Sequence, residues 1–253
     1  MAEKAKIIDG LKFEQRHGKQ RVRVGRVWKD STGFCHFVEW SVGISLLSDC
    51  NRSYTHDDNS DIVATDTMKN TVYAKAKESK EQITAEDFAI LLAKHFTSYY
   101  KQVTTAIVKI VEKPWKRVNI DGRPHKHGFE LGSEKHVAEA VLSKSGALNL
   151  SSSIEGLSLL KTTKSGFEGY VRDQYTLLPE TRERMLATEL AATWRFHVIS
   201  SVSLRMPNLH FIPVNLSSIQ NPNLVKFADD VYLPTDEPHG SIEASLSRLH
   251  SRM

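Results

Sequence analysis

Between Phe34 and Ile44 most of the bulky residues fall on alternate positions. Phe34, His36, Val38, Trp40, Val42 and Ile44 share one parity, and Glu39, Ser41 and Ser45 take the other. A period of two with one mainly apolar face predicts a half-buried strand of an antiparallel sheet, since parallel strands are apolar on both sides. Such a strand cannot bury that face alone, so the surrounding sequence must supply partners and a cover. The run Gln20-Arg21-Val22-Arg23-Val24, entered from Gln15-Arg16-His17-Gly18-Lys19, alternates in the same way and predicts the pairing strand, with Gly25 breaking the phase as a bulge would. Residues 1–10 read as a loose tail. The cover follows in helical spacing. Met68, Val72 and Ala76 keep one face, and Thr84-Ala85-Glu86-Asp87 opens a second helix whose apolar face is Phe88, Leu91, Leu92, Phe96 and Tyr99. Val103 to Val118 returns to β-branched residues, and after the turn Asp121-Gly122-Arg123-Pro124 a further strand is predicted near Gly128 to Leu131. The order is strand, strand, helix, helix, strand, strand.

The second half opens in the same manner, with His136 to Ser143, a turn at Gly146 and a strand-like run from Leu148 to Thr163. A short helical piece is expected around Phe167 to Asp173. Arg182 to Phe196 suits either period: Leu186, Leu190 and Trp194 fit a helix, while Leu186, Thr188, Leu190, Ala192, Trp194 and Phe196 fit a strand. His197 to Met206, Leu209 to Leu216 and Val225 to Leu233 read as strands, and Ile242 to Leu249 as a final amphipathic piece.

Bulk properties narrow the function classes. At 253 residues the chain can bury a sizeable core, and a net charge of +4 spread along its length argues against nucleic acid as the main partner. No apolar run approaches the roughly 20 residues that cross a bilayer as a helix, and Met1-Ala2-Glu3-Lys4 leads into no signal-peptide core, so an intracellular protein without a membrane partner is expected. Cys35 and Cys50 make neither a disulfide framework nor a Cys-x-x-Cys knuckle, and read as free thiols. His125 and His127 lack third and fourth ligands at a suitable spacing, so no metal is expected.

One stretch is more specific. Asn59 to Thr71 is a short apolar run, Ile62-Val63-Ala64, that ends in Thr65-Asp66 and passes into a helix, with Asp66 placed to cap it. This wording closely resembles the corresponding segment of the uricase (urate oxidase) family, of plant-like character, and the resemblance covers nearly everything from Phe13 onward. It implies an α+β fold of tandem T-fold (tunnelling-fold) domains, with antiparallel sheets and helices on one face, over 1–134 and 135–253. It also favours strand for Arg182 to Phe196. The implied activity is oxidation of urate by O2 and water to 5-hydroxyisourate and hydrogen peroxide, in purine degradation, with no cofactor, by a homotetramer whose sites lie at subunit interfaces.

Residue by residue, the resemblance implies a proton relay of Lys19, Thr65 and His210. A lysine beside a hydroxyl, with an imidazole reached through water, suits the deprotonation that urate requires. Asp66, Phe167, Leu178, Arg184 and Asn208 are implied in binding: Phe167 stacks on the purine, Arg184 clamps the anion with Arg182 standing nearby, Leu178 is an apolar wall, and Asn208 seats oxygen or water. Ser251-Arg252-Met253 resembles the Ser-Lys-Leu address read by the peroxisomal import receptor, which implies the peroxisome. Related T-fold pterin enzymes use zinc, for which this sequence has no matching cysteine and histidine set. Against the family's pattern, Phe196 joins His197 directly where the second domain should carry its helix pair and a valine–glutamine pair of the urate site. The second domain is therefore expected to be truncated, poorly stable alone, and open over Leu186, Leu190 and Val202 unless a partner subunit covers them. The alternative function is a catalytically inactive chain acting only in assembly.

Overall fold

The computed structural model describes residues 6–8, 11–13, 15–196, 213–220, 224–226, 232–234 and 240–244, with side chains from Gln15 to Phe196. Two strands, β1 (Lys6–Ile8) and β2 (Leu11–Phe13), pair as a hairpin, so β1 lies in the stretch expected to be a loose tail and β2 directly after it. The chain then divides into two compact units, the first comprising residues 1–132, 136–152 and 195–210, the second 133–135, 153–194 and 211–253.

In the first unit β3 (His17–Lys29) and β4 (Cys35–Ser48) pair antiparallel, with Val24 opposite Trp40. The predicted alternation holds: Val38, Trp40, Val42, Ile44 and Leu46 are buried. The bulge is not at Gly25, which pairs in register with Glu39; the register shifts between Lys19 and Val22, where Arg21 takes φ +58°. Gly25 answers a different need, because a Cβ there would come 3.3 Å from the Phe37 ring.

After the one-turn α1 (Arg52–Thr55), α2 (Thr65–Glu78) and α3 (Ala85–Tyr99) cover the β4 face. Met68, Val72 and Ala76 from α2, with Phe88, Leu92 and Phe96 from α3, are buried against it. Trp40 stacks on Phe88 with ring centroids 4.7 Å apart, and its indole N–H donates to Glu112 at 2.6 Å, so the buried ring has no unmet polar group. Thr84 caps α3, its hydroxyl accepting from the Asp87 amide at 3.1 Å as the sequence predicts. Tyr99 departs from the predicted apolar face and is 72% exposed. The helix ends there, and Tyr100 turns in to stack on Phe96, while Tyr99 stacks on His95.

β5 (Val103–Glu112) pairs with β4, but the next two strands leave the sheet. β6 (Trp115–Ile120) and β7 (Arg123–Leu131) form a separate hairpin, turning through Asp121 and Gly122, both at positive φ, as a two-residue hairpin requires. The sheet's fourth strand is β8 (Lys135–Ser143), which pairs with β5. The strand expected near Gly128 to Leu131 thus belongs to the hairpin, and a strand read into the second half completes the first sheet, in the order β8-β5-β4-β3. A half-buried contact pins the helix layer to this sheet. Glu86, in the first turn of α3, accepts from His136 Nε2 at 2.9 Å and from the Ser152 hydroxyl at 2.7 Å.

The second unit takes most of β9 (Leu148–Phe167), then β10 (Thr181–Phe196), β11 (Pro213–Gln220) and β14 (Gly240–Ala244), in the order β14-β11-β10-β9. The ambiguous run is a strand, since β10 spends its backbone groups on a ladder with β11 rather than on itself. The reading of one strand over Val225 to Leu233 gives way to β12 (Leu224–Lys226) paired with β13 (Tyr232–Pro234). The piece beginning at Ile242 lies partly in β14, and β11 is set later than the predicted Leu209 to Leu216. The run His197 to Met206 lies outside the described residues.

No helix forms at Phe167 to Asp173. Gly169 takes φ +70°, and Asp173 accepts from the Tyr175 amide at 2.9 Å, local bonds that hold a loop instead. Among the described residues of this unit there is no helix, and none of its apolar side chains is fully buried. Leu186 and Leu190 are half-buried, and Val202 lies outside the described residues.

Candidate active site

The start of β3 is held tightly against its neighbours. At Gly18 a Cβ would lie 1.9 Å from the Ile44 carbonyl oxygen, so only glycine lets the two backbones approach this closely. Gln20 lies over Gly43 and donates to the Ile44 carbonyl at 3.3 Å. His17 Nε2 donates to the Val63 carbonyl at 3.0 Å, tying β3 to the segment that precedes α2. Two residues on from each partner stand Lys19 and Thr65. Strand alternation puts Lys19 on the same face as His17. Lys19 is half-buried and Thr65 exposed at the first position of α2.

Asp66 does not cap α2. The helix begins at Thr65 behind an extended Ala64, so Asp66 already lies inside the first turn. Its carboxylate instead accepts from Lys69 Nζ at 2.7 Å and Asn70 Nδ2 at 2.8 Å, side chains one turn further on. The Lys69 hydrogen bond and charge hold the Asp66 carboxyl below its usual range, and the charge of Lys19 adds to this. Asp66 thus feels the charge of Lys19, with the hydroxyl-bearing Thr65 adjacent to it in sequence.

A second group forms in the second unit, at the end of β9 and the start of β10. Phe167 ends β9 and is 45% exposed. The guanidinium carbon of Arg184 lies 5.3 Å from the Phe167 ring centroid. Arg182, two residues away, is engaged elsewhere, pairing with Glu168 at 2.8 Å. The Tyr170 ring stacks on Phe167 with centroids 4.5 Å apart and planes 11° from parallel. Its hydroxyl donates to the Leu178 carbonyl, as does Arg172 Nη1 at 2.8 Å. Phe167, Leu178 and Arg184 are therefore close within one unit, as Lys19, Thr65 and Asp66 are within the other. Tyr170 and His17 escaped sequence reasoning as members of these groups. A tyrosine three residues after Phe167, across a Gly169 turn, was the available signal for the first.

His210, Asn208 and Ser251 to Met253 lie outside the described residues. His127 Nδ1 approaches the Cys35 thiol at 3.4 Å, while the His125 ring accepts from the His127 amide at 3.2 Å. Among the described residues no group of three or more histidine, cysteine or acidic side chains is gathered as metal ligands.

Comparison with known proteins gives a consistent result. A sequence model of the uricase family matches residues 15–141 and 150–200. Uricase-2 isozyme 2 of Canavalia lineata is 59% identical, with 98% of this chain and 99% of that protein covered, and the uricase of Arabidopsis thaliana is 54% identical, covering 98% and 100%. The crystal structure of uricase from Arthrobacter globiformis superposes with a TM-score of 0.73 at 28% identity, over 98% of this chain and 97% of that one. The Canavalia alignment extends over 298 residues, whereas 98% of 253 is about 248, so about 50 positions of the alignment have no counterpart here.

Proposed function

The chain belongs to the uricase family, and on that premise we propose that it oxidises urate with O2 and water to 5-hydroxyisourate and hydrogen peroxide. Urate gives up two electrons to O2, which takes two protons to become peroxide, and water adds its hydroxyl to the purine. The observation that best supports this reading at the level of side chains is Arg184 beside the exposed ring of Phe167. A flat apolar surface with a cationic fork held against it suits a planar anion with paired acceptors. Leu178 walls the same region.

Lys19, Thr65 and His210 serve as the relay in this reading. Lys19 holds a proton at or near the Thr65 hydroxyl, and the imidazole exchanges protons through water. Asp66 fixes the charge environment of Lys19, and Asn208 seats oxygen or water above the ring. The Lys19 group and the Phe167 group come from different subunits of a homotetramer, no cofactor takes part, and the Ser251-Arg252-Met253 address directs the chain to the peroxisome. The half-buried apolar side chains of Leu186 and Leu190 and the roughly 50 absent positions support a missing helix pair between Phe196 and His197.

Urate-dependent oxygen uptake by the purified chain, with peroxide counted, tests the proposal. One peroxide per oxygen is expected, and a Lys19→Ala, Thr65→Ala double variant should lose about 10²-fold or more of the rate. A folded, soluble chain with no uptake would leave assembly as its role.

A further inference from the structure

We infer that Tyr170 is a positioning residue of the urate site, a back wall that fixes the Phe167 ring as the platform for the purine. The inference rests on the proposed role of Phe167. An aromatic ring has two faces, and Tyr170 occupies one of them at 4.5 Å and 11°. Phe167 is 45% exposed, and the Arg184 guanidinium carbon lies over its ring, 5.3 Å from the centroid. Bound urate then packs on the exposed part of the Phe167 ring, within reach of the Arg184 guanidinium that lies over it.

Tyr170 is itself held on several sides. Its hydroxyl donates to the Leu178 carbonyl and accepts from Arg172 Nη1 at 2.8 Å, and the Arg172 guanidinium carbon lies 5.3 Å from its ring centroid. Gly169, at φ +70° and with its amide donating to Glu180 at 3.1 Å, makes the turn that brings Tyr170 back onto a residue only three positions earlier. One side chain thereby sets two residues of the proposed binding surface, Phe167 by its face and Leu178 by its hydroxyl. A substrate without a flat π-face would gain nothing from this arrangement.

The test uses the full chain and its Tyr170→Phe and Tyr170→Ala variants. Urate binding is measured under nitrogen, where no turnover occurs, and kcat and KM in air. Tyr170→Phe keeps the ring and should bind within about threefold of the unmodified chain, while Tyr170→Ala should bind about tenfold more weakly, with KM rising and kcat changing less. Trypsin cleavage after Arg172 should also quicken in Tyr170→Ala, as the brace on Leu178 is lost. Unchanged urate binding in Tyr170→Ala, with or without faster cleavage, would overturn the inference. Weaker binding that Tyr170→Phe fails to restore would overturn the stacking role. If the unmodified chain binds no urate, the proposed function itself fails, and that outcome is distinct because it precedes any variant.

Discussion

Gly18 and Gly43 sit near one another on paired strands, yet their substitution should have different costs. A Cβ at Gly18 would fall 1.9 Å from a main-chain oxygen of Ile44, which cannot move without shifting β4. A Cβ at Gly43 would meet the Gln20 amide oxygen at 2.3 Å, the far end of a flexible side chain. Gly18→Ala should therefore lose about 2–3 kcal/mol in denaturant unfolding, and Gly43→Ala less than about 1 kcal/mol. Gly18→Ala should also lower the oxygen-uptake rate, since Lys19 is the next residue. At this scale the sequence was an uneven guide. The Thr84 cap was legible because a cap is a local device. Asp66 was misread by two positions, since the cap position is Ala64, and the bulge was assigned to Gly25 because glycine is the usual sign of irregular backbone. The actual irregularity at Arg21 is set by the pairing of β3 with β4, which no single residue announces.

Among the elements, α3 carries the clearest pH dependence. Burial pushes the Glu86 carboxyl up, but the hydrogen bonds from His136 and Ser152 and the charge of His136 outweigh it and bring it down from 4.5 to about 2. The bond to Glu86 raises His136 above 6.5 against the opposing effect of burial. Glu86, depressed on folding, stabilises above 4.5 and loses that contribution as pH falls toward 2. His136, raised on folding, contributes fully below 6.5 and loses it as pH climbs through its folded value. The two windows overlap between 4.5 and 6.5. Glu86→Gln should cost about 1–3 kcal/mol there, and the gap in Tm between it and the unmodified chain should shrink on both sides. A gap that is flat from pH 4 to pH 9 would show that the pair contributes nothing by its charge. Periodicity predicted the helix and strand that this contact joins, but not the contact, because Glu86, His136 and Ser152 are brought together only by tertiary packing. Periodicity also could not decide β10, where both periods fit; the ladder with β11 decides it.

At the scale of the molecule, the two units differ in what they bury. The first has Trp40, Phe88, Phe96 and Ile44 fully enclosed, while the second has no comparable side chain among its described residues. Local opening should follow that difference. Hydrogen exchange is expected to be slowest in β4 and β5 and at least about tenfold faster in β10, and equal protection in both would show that the second unit has found a cover. The T-fold arrangement was legible in the first half because strand and helix periods follow one another with clear boundaries. The reading faltered at the β6–β7 hairpin, a separate two-stranded sheet whose strands look like any others until their partners are known. The tryptophans give the asymmetry an optical form. Trp28, Trp40 and Trp115 belong to the first unit and only Trp194 to the second. Trp40, stacked on Phe88 and shut away from solvent, should emit at the blue end of the indole range. The intrinsic fluorescence of this chain is therefore chiefly a signal from its first unit, and a melt followed by that light alone would pass over the loss of the second almost unseen.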